Sequence, residues 1–284
     1  MSASQGEILH VSDTALMVSA CRAMETERPD GLVRDPFAAR LAGDRGMAIA
    51  RAIPRLELLC FGVAVRTRFL DDLVAQVVTT RGVRTVISVG AGLDSRPWRL
   101  ELPQSLRWIE ADFPAMLDYK ASVLASEKPK CRLERAPADL TDASQRQAIF
   151  SAAGSDPALM ITEGLLIYLP SAAIEALASE PVLMSGIRYW LLDLASPALA
   201  RAVRMDSMES IDSVRAPGHL DGLQTLDVIR RRGWTSLVHR SYVTDAAEIA
   251  AARIQSMAAG RPAAEPMTPP PPDDPSGVHL FGRE

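Results

Sequence analysis

The stretch VISVGAGLDSRPWRL (86–100) passes from β-branched residues through two glycines one residue apart into a polar segment with a proline. Its leading part, VRTVISVG (83–90), is too short and too β-branched for a helix and predicts a buried strand. Gly90 and Gly92 predict a sharp turn in which the backbone approaches a ligand with no Cβ in the way. Open α/β sheets bind ligands beyond the carboxyl ends of their strands, near the point where strand order reverses, so this turn is the first candidate site. Ser95 stands where a dinucleotide fingerprint has its third glycine, which argues against a coenzyme with a pyrophosphate.

Downstream, SLRWIEAD (105–112), CRLERAPADL (131–140), DPALMITEG (156–164), GIRYWLLDLAS (186–196) and WTSLVHRSY (234–242) read as further strands. Helical stretches at 114–126, 142–153, 171–180 and 245–260 alternate with them. The alternation predicts an α/β fold with a doubly wound parallel sheet. Upstream, helices are expected to start at Ser12 or Asp13 and at Asp35-Pro36. A third, over Leu56–Thr80, carries Phe61, Val65, Phe69, Leu73 and Val77 on one face. The predicted organisation is a helical extension or lid over 1–80 and a sheet domain over 81–260. A helical cap insertion near 198–232 interrupts that domain, and a Pro-rich tail over 261–284 is expected to lack fixed structure.

The 284 residues hold 31 Lys+Arg and 35 Asp+Glu, a net charge of -4, and 48% are hydrophobic. That composition supports a globular core. The basic residues are scattered, which excludes the basic stripe of a nucleic-acid binder. Cys21, Cys60 and Cys131 lie far apart, forming neither a zinc-ligand pattern nor a complete disulfide framework. The N-terminal residues lack a signal-peptide pattern, and no apolar run reaches membrane-spanning length. A cytoplasmic protein with no membrane partner and no metal is expected.

Acidic residues at the strand ends narrow the ligand. Asp112, 20 residues beyond Gly92, ends the second strand, where a carboxylate accepts from both hydroxyls of a ribose. Glu110 is the rival on the same strand face, and Asp112 could instead cap the following helix. Asp139 closes the third strand, positioned for an adenine amino group or for a helix cap, and Leu140 offers an apolar wall. Glu163 ends an otherwise apolar strand, where a carboxylate needs a compensating cation. Arg68 pairs with Asp72 at (i, i+4), leaving Arg66 for a ligand carboxylate. A charged nucleoside without a diphosphate fits this set, and S-adenosyl-L-methionine is the expected cofactor.

These residues stand in segments that together resemble the leucine carboxyl methyltransferase family, including its bacterial small-molecule, polyketide-type O-methyltransferase branch. The segments are DTA…RAMETERPDGLVRDPFA (13–38), RTRFLDD (66–72), VGAGLDSRPWRL (89–100), EADFP (110–114), ADL (138–140) and TEGLLIYL (162–169). The resemblance implies a Rossmann-like class I methyltransferase sheet with an N-terminal helical extension and a cap. It implies that Arg66 holds the methionine carboxylate, Gly90 lines the methionine moiety, Asp112 takes the ribose, and Asp139 and Leu140 take the adenine. Glu163 would meet the amino end, and Arg22 would supply the first segment's basic residue. The expected reaction is in-line methyl transfer to a carboxyl or hydroxyl oxygen of a small molecule. A carboxylate acceptor requires no general base, and for a hydroxyl acceptor Tyr168 and His219 are the candidates. A nicotinamide oxidoreductase and a non-catalytic S-adenosylmethionine binder are the alternatives. Residues beyond 197 match the family loosely, and the acceptor pocket belongs there.

Overall fold

The computed structural model describes residues 10–184, 186–199, 219–259 and 274–283. Helices α1 (Val11–Thr26), α2 (Ala38–Ala52) and α3 (Leu56–Thr80) precede the first strand. Then follow β1 (Thr85–Val89), the short α4 (Arg96–Arg99), β2 (Arg107–Asp112), α5 (Pro114–Val123), β3 (Arg132–Pro137) and α6 (Ala143–Ala152). The chain continues through β4 (Ala158–Thr162), α7 (Ser171–Met184), β5 (Ile187–Leu194), α8 (Gly222–Arg231), β6 (Thr235–Ser241), α9 (Thr244–Ala259) and β7 (Gly277–Gly282).

The seven strands form one sheet in the order β3-β2-β1-β4-β5-β7-β6, with β1 to β5 parallel and β7 antiparallel to both its neighbours. This is a doubly wound arrangement, as the alternation of strands and helices predicts. Strand order reverses between β1 and β4, so their carboxyl ends flank the switch-point crevice where ligands bind.

Strand alternation divides the core into two layers. Ile87, Val89, Ile109, Ala111 and Met160 face Ile149, Ile174, Leu177 and Ile229 from α6, α7 and α8. Val86, Trp108, Leu159, Ile161 and Leu191 face Val65, Phe69, Leu73 and Val77, the stripe expected on α3. The expected boundary at residue 80 therefore separates α3 from the sheet it covers. Helices α1 and α2 pack on each other through Met17, Ala20, Ala42 and Ile49.

Three sequence expectations require correction. The tail is ordered over 274–283, where β7 inserts between β5 and β6 with all six strand residues buried. Prolines precede this strand, but GVHLFG (277–282) itself carries alternating apolar residues that fill both core layers. Within the cap expected near 198–232, α8 buries Leu226, Val228 and Ile229 against the sheet as an ordinary flanking helix. Residues 200–218 of that expected cap lie outside the described residues, as do 261–273 of the tail. Finally, α1 is capped by His10 rather than Ser12 or Asp13; Asp13 completes a reciprocal capping box.

Among the described residues no helix is long and apolar enough to cross a membrane, and no cluster of His, Cys, Asp or Glu is arranged to hold a metal. The three cysteines are free and buried.

Candidate functional site

The crevice begins at the turn after β1. Gly90 and Gly92 adopt φ of 66° and 45°, the left-handed region that glycine enters without Cβ strain. A Cβ at Gly90 would lie 2.7 Å from Leu165, so the turn is a cradle closed by its neighbours. The loop is tied down along its length. Gly90 and Ala91 donate to the Ala111 carbonyl at 2.8 and 3.1 Å. Arg22 donates to the Leu93 carbonyl at 2.7 Å, and Lys120 to the Asp94 carbonyl at 3.2 Å. Ser95 donates to Asp35 at 2.6 Å just before α4, which is only one turn long.

Asp112 holds the next strand tip. Its Oδ2 accepts the Gly92 N–H at 2.6 Å and its Oδ1 the Phe113 N–H at 2.7 Å. Each oxygen keeps a second lone pair for a further donor. Burial raises this carboxyl above its ordinary value, against the pull of the two N–H groups. Phe113 occupies the α5 cap position without a side-chain cap, so Asp112 anchors the glycine loop instead. Glu110 is fully buried in an ion pair with the equally buried Lys120 at 2.7 Å. Phe113 stands 42% exposed beside Asp112, an aromatic face that the sequence reading passed over. At the third strand, Asp139 accepts from the Thr141 backbone and hydroxyl at 2.8 and 2.7 Å, while Asp142 caps α6. Leu140 is buried behind it in the core.

Across the switch point, Glu163 follows β4 and meets two guanidinium groups: Arg96 at 2.7 Å and Arg66 at 3.1 Å. Burial would raise its carboxyl, but Arg96 and Arg66 outweigh burial and hold it down at about 2. Compensation for Glu163 therefore comes from within the chain, where the sequence reading expected it from a ligand. Arg66, expected to be unengaged, also reaches Asp193 of β5 at 3.4 Å. Asp193 in turn accepts the Gly164 N–H at 2.6 Å. The register explains the meeting: Thr162 pairs with Leu192, so Glu163 and Asp193 are lateral neighbours, and both point to the α3 side.

Arg96, Arg99, Asp71 and Asp193 are site residues that the sequence reading missed. Asp71 accepts from Arg96 at 2.7 Å and Arg99 at 2.5 Å, which clamps α4 to α3. Arg96 and Arg99 sit in the RPWR segment, and their buried pairing had no signal beyond proximity to the glycine turn. Arg22 pairs with Asp35 at 2.9 Å beneath the loop, so it braces the crevice floor. Tyr168 is half-buried at the end of a short 3-10 turn, Leu166–Tyr168, near enough to Arg66 to act on its charge. His219 is exposed in the lead into α8, and burial keeps His279 neutral in β7, with its pKa down at about 4.

A guanidinium and a carboxylate side by side complement the carboxylate and ammonium of an amino acid, and an adjacent aspartate complements a ribose.

Known proteins are similar to this chain. A Streptomyces avermitilis protein named for S-adenosyl-L-methionine-dependent methyl transfer is 41% identical over 178 residues, 59% of this chain and 62% of that one. A Frankia alni protein of the same description is 42% identical over 178 residues, 58% of this chain and 61% of its own length. The chain thus spans somewhat under two thirds of these relatives. Among solved structures, a Thermobifida fusca protein assigned to the methyltransferases superposes with a TM-score of 0.58 at 16% identity, covering 99% of this chain and 96% of its own. An O-methyltransferase family protein from Burkholderia thailandensis gives 0.51 at 14% identity, covering 96% and 72%. These likenesses show the fold. The sequence profile of the leucine carboxyl methyltransferase family matches residues 15–180, more than half of the chain, and the protein belongs to that family.

Proposed function

We propose that this protein is an S-adenosyl-L-methionine-dependent O-methyltransferase that methylates a carboxyl or hydroxyl group of a small molecule. The observation that carries the reading is the Arg66–Glu163 pair at 3.1 Å beside the Gly90 turn, a charge pattern matched to the cofactor's amino-acid end. Arg66 would hold the carboxylate, Glu163 the ammonium, Asp112 the ribose hydroxyls, and Asp139 with Leu140 the adenine. When bound, the cofactor supplies an electrophilic methyl group on a sulfonium.

The chain's own contribution is alignment. The ion-paired framework of Arg96, Glu163, Arg66 and Asp193 fixes side chains from α3, α4, β4 and β5 in one geometry. Holding the reactants in line at near-attack distance supplies much of the rate of such a displacement. Glu163, held at about 2, is too weak a base to take a proton from an alcohol near neutrality. A carboxylate acceptor is already a nucleophile and requires orientation alone, whereas a hydroxyl acceptor would call on Tyr168 or His219 as base. The short α4 and Ser95, tied to Asp35, argue against a nicotinamide dinucleotide.

Calorimetric titration tests this directly. Wild-type protein should bind S-adenosylhomocysteine and not NADH, and Arg66→Ala should weaken the former roughly tenfold or more. Binding of NADH in its place would overturn the reading. A labelled-methyl assay over carboxylic and hydroxylic acceptors then distinguishes an enzyme from a non-catalytic binder.

A further inference from the structure

Tyr242 follows β6 directly, and its hydroxyl is shut off from solvent with no hydrogen-bond partner. A buried phenol O–H ordinarily finds an acceptor, so an orphan of this kind needs an explanation. Strand parity places it. Val238 packs in the α3 layer, so Tyr242, four residues on, projects to the α3 face together with Arg240. Ile161 and Leu191 lie in that same layer, and by the same alternation Glu163 and Asp193 project there too. The ring of Tyr242 lies parallel to that of Phe69, with centroids 6.4 Å apart, and the Arg240 guanidinium covers Phe69 at 4.3 Å. Phe69 is three residues beyond Arg66, hence its neighbour on the α3 surface. The Tyr242 N–H is fixed to the Ser276 carbonyl at 3.1 Å, which pins the residue at the carboxyl edge of the sheet.

We propose that Tyr242 is a second ligand-binding donor beside Arg66, its O–H directed to the α-carboxylate of the bound cofactor. The inference rests on the S-adenosylmethionine reading above and adds a residue to it. Burial, with Asp193 and Glu163 nearby, raises the phenol well above its ordinary value, so the group stays protonated and acts as a donor. Asp193 accepts from Gly164 and Arg66, and Glu163 from Arg66 and Arg96, and neither carboxylate takes a hydrogen bond from the Tyr242 hydroxyl. A ligand carboxylate placed against Arg66 offers the missing acceptor.

Tyr242→Phe keeps the ring on Phe69 and removes only the hydroxyl, so it tests the donor without emptying the core. Calorimetry should show S-adenosylhomocysteine binding weakened roughly ten- to a hundredfold, as for a hydrogen bond to a charged group. Binding of 5′-methylthioadenosine, which has no carboxylate, should be unchanged. Equal loss for both ligands would mean the hydroxyl shapes the crevice generally, and unchanged affinity for S-adenosylhomocysteine would mean it touches no carboxylate; either result overturns the inference. Failure of wild-type protein to bind either nucleoside overturns the cofactor reading instead, which keeps the two failures distinct.

Discussion

Asp112 shows how one carboxylate couples the strand tip to the ligand crevice. Its two oxygens hold the Gly92 and Phe113 N–H groups, and their outward lone pairs remain for ribose hydroxyls. Asp112→Ala should weaken S-adenosylhomocysteine by about 2 kcal/mol or more, the scale of hydrogen bonds to a charged group. It should weaken 5′-methylthioadenosine comparably, because that ligand keeps the ribose, and calorimetry with both ligands would expose a selective loss as contrary to the assignment. Residues of this kind were legible in the sequence because a carboxylate at the end of an apolar strand is conspicuous: Asp112 and Glu163 are both at the tips the sequence marked. Their partners were not. Arg96 and Arg99 reach Glu163 and Asp71 across 67 and 28 residues, and a single sequence offers no rule that pairs charges so far apart. The local prediction that needed no tertiary information, Arg68 with Asp72, holds at 3.0 Å.

Among the elements, α3 is read correctly to its ends because periodicity alone marks its buried stripe, whereas β7 escapes notice because a Pro-rich run masks it. The strand carries a titration that makes its role measurable. His279 stacks on His239 of β6 at 4.2 Å between ring centroids, and its Nε2 lies 2.7 Å from the Pro275 carbonyl oxygen. Burial, with smaller contributions from the neighbouring His239 and Arg230, outweighs the hydrogen bond to the Pro275 carbonyl and lowers its pKa from 6.5 to about 4. A histidine less basic in the folded chain than in the unfolded one takes up its proton preferentially on unfolding. The stabilisation is therefore complete above about pH 6.5 and disappears as pH falls from there through about 4, an effect of order 3 kcal/mol. Urea titrations at stepped pH should show this loss in wild-type protein and a flatter profile in His279→Leu. Parallel profiles would remove His279 from the account.

For the whole molecule, the decisive question is whether the chain beyond 260 is an appendage or part of the sheet. Strand β7 forms ladders with both β5 and β6, so removing it leaves two unpaired edges in the middle of the sheet. Such edges expose rows of unpaired N–H and C=O groups that invite association between chains. Val278, Leu280 and Phe281 are each at most 1% exposed and fill both core layers. Burial of one such side chain contributes about 1.5–3 kcal/mol, so three of them rival the roughly 5–15 kcal/mol that holds a domain folded. The loss also reaches the site, since the Ser276 carbonyl accepts the Tyr242 N–H, the Ser276 hydroxyl accepts the Ser196 N–H just past β5, and Asp274 accepts the Ser196 hydroxyl. A chain ending at residue 273 should therefore aggregate or melt far below the 284-residue protein and lose nucleoside binding, as judged by light scattering, thermal denaturation and calorimetry. An appendage would be silent on removal: a truncated protein with unchanged melting temperature and affinity would show that the sheet closes without its seventh strand.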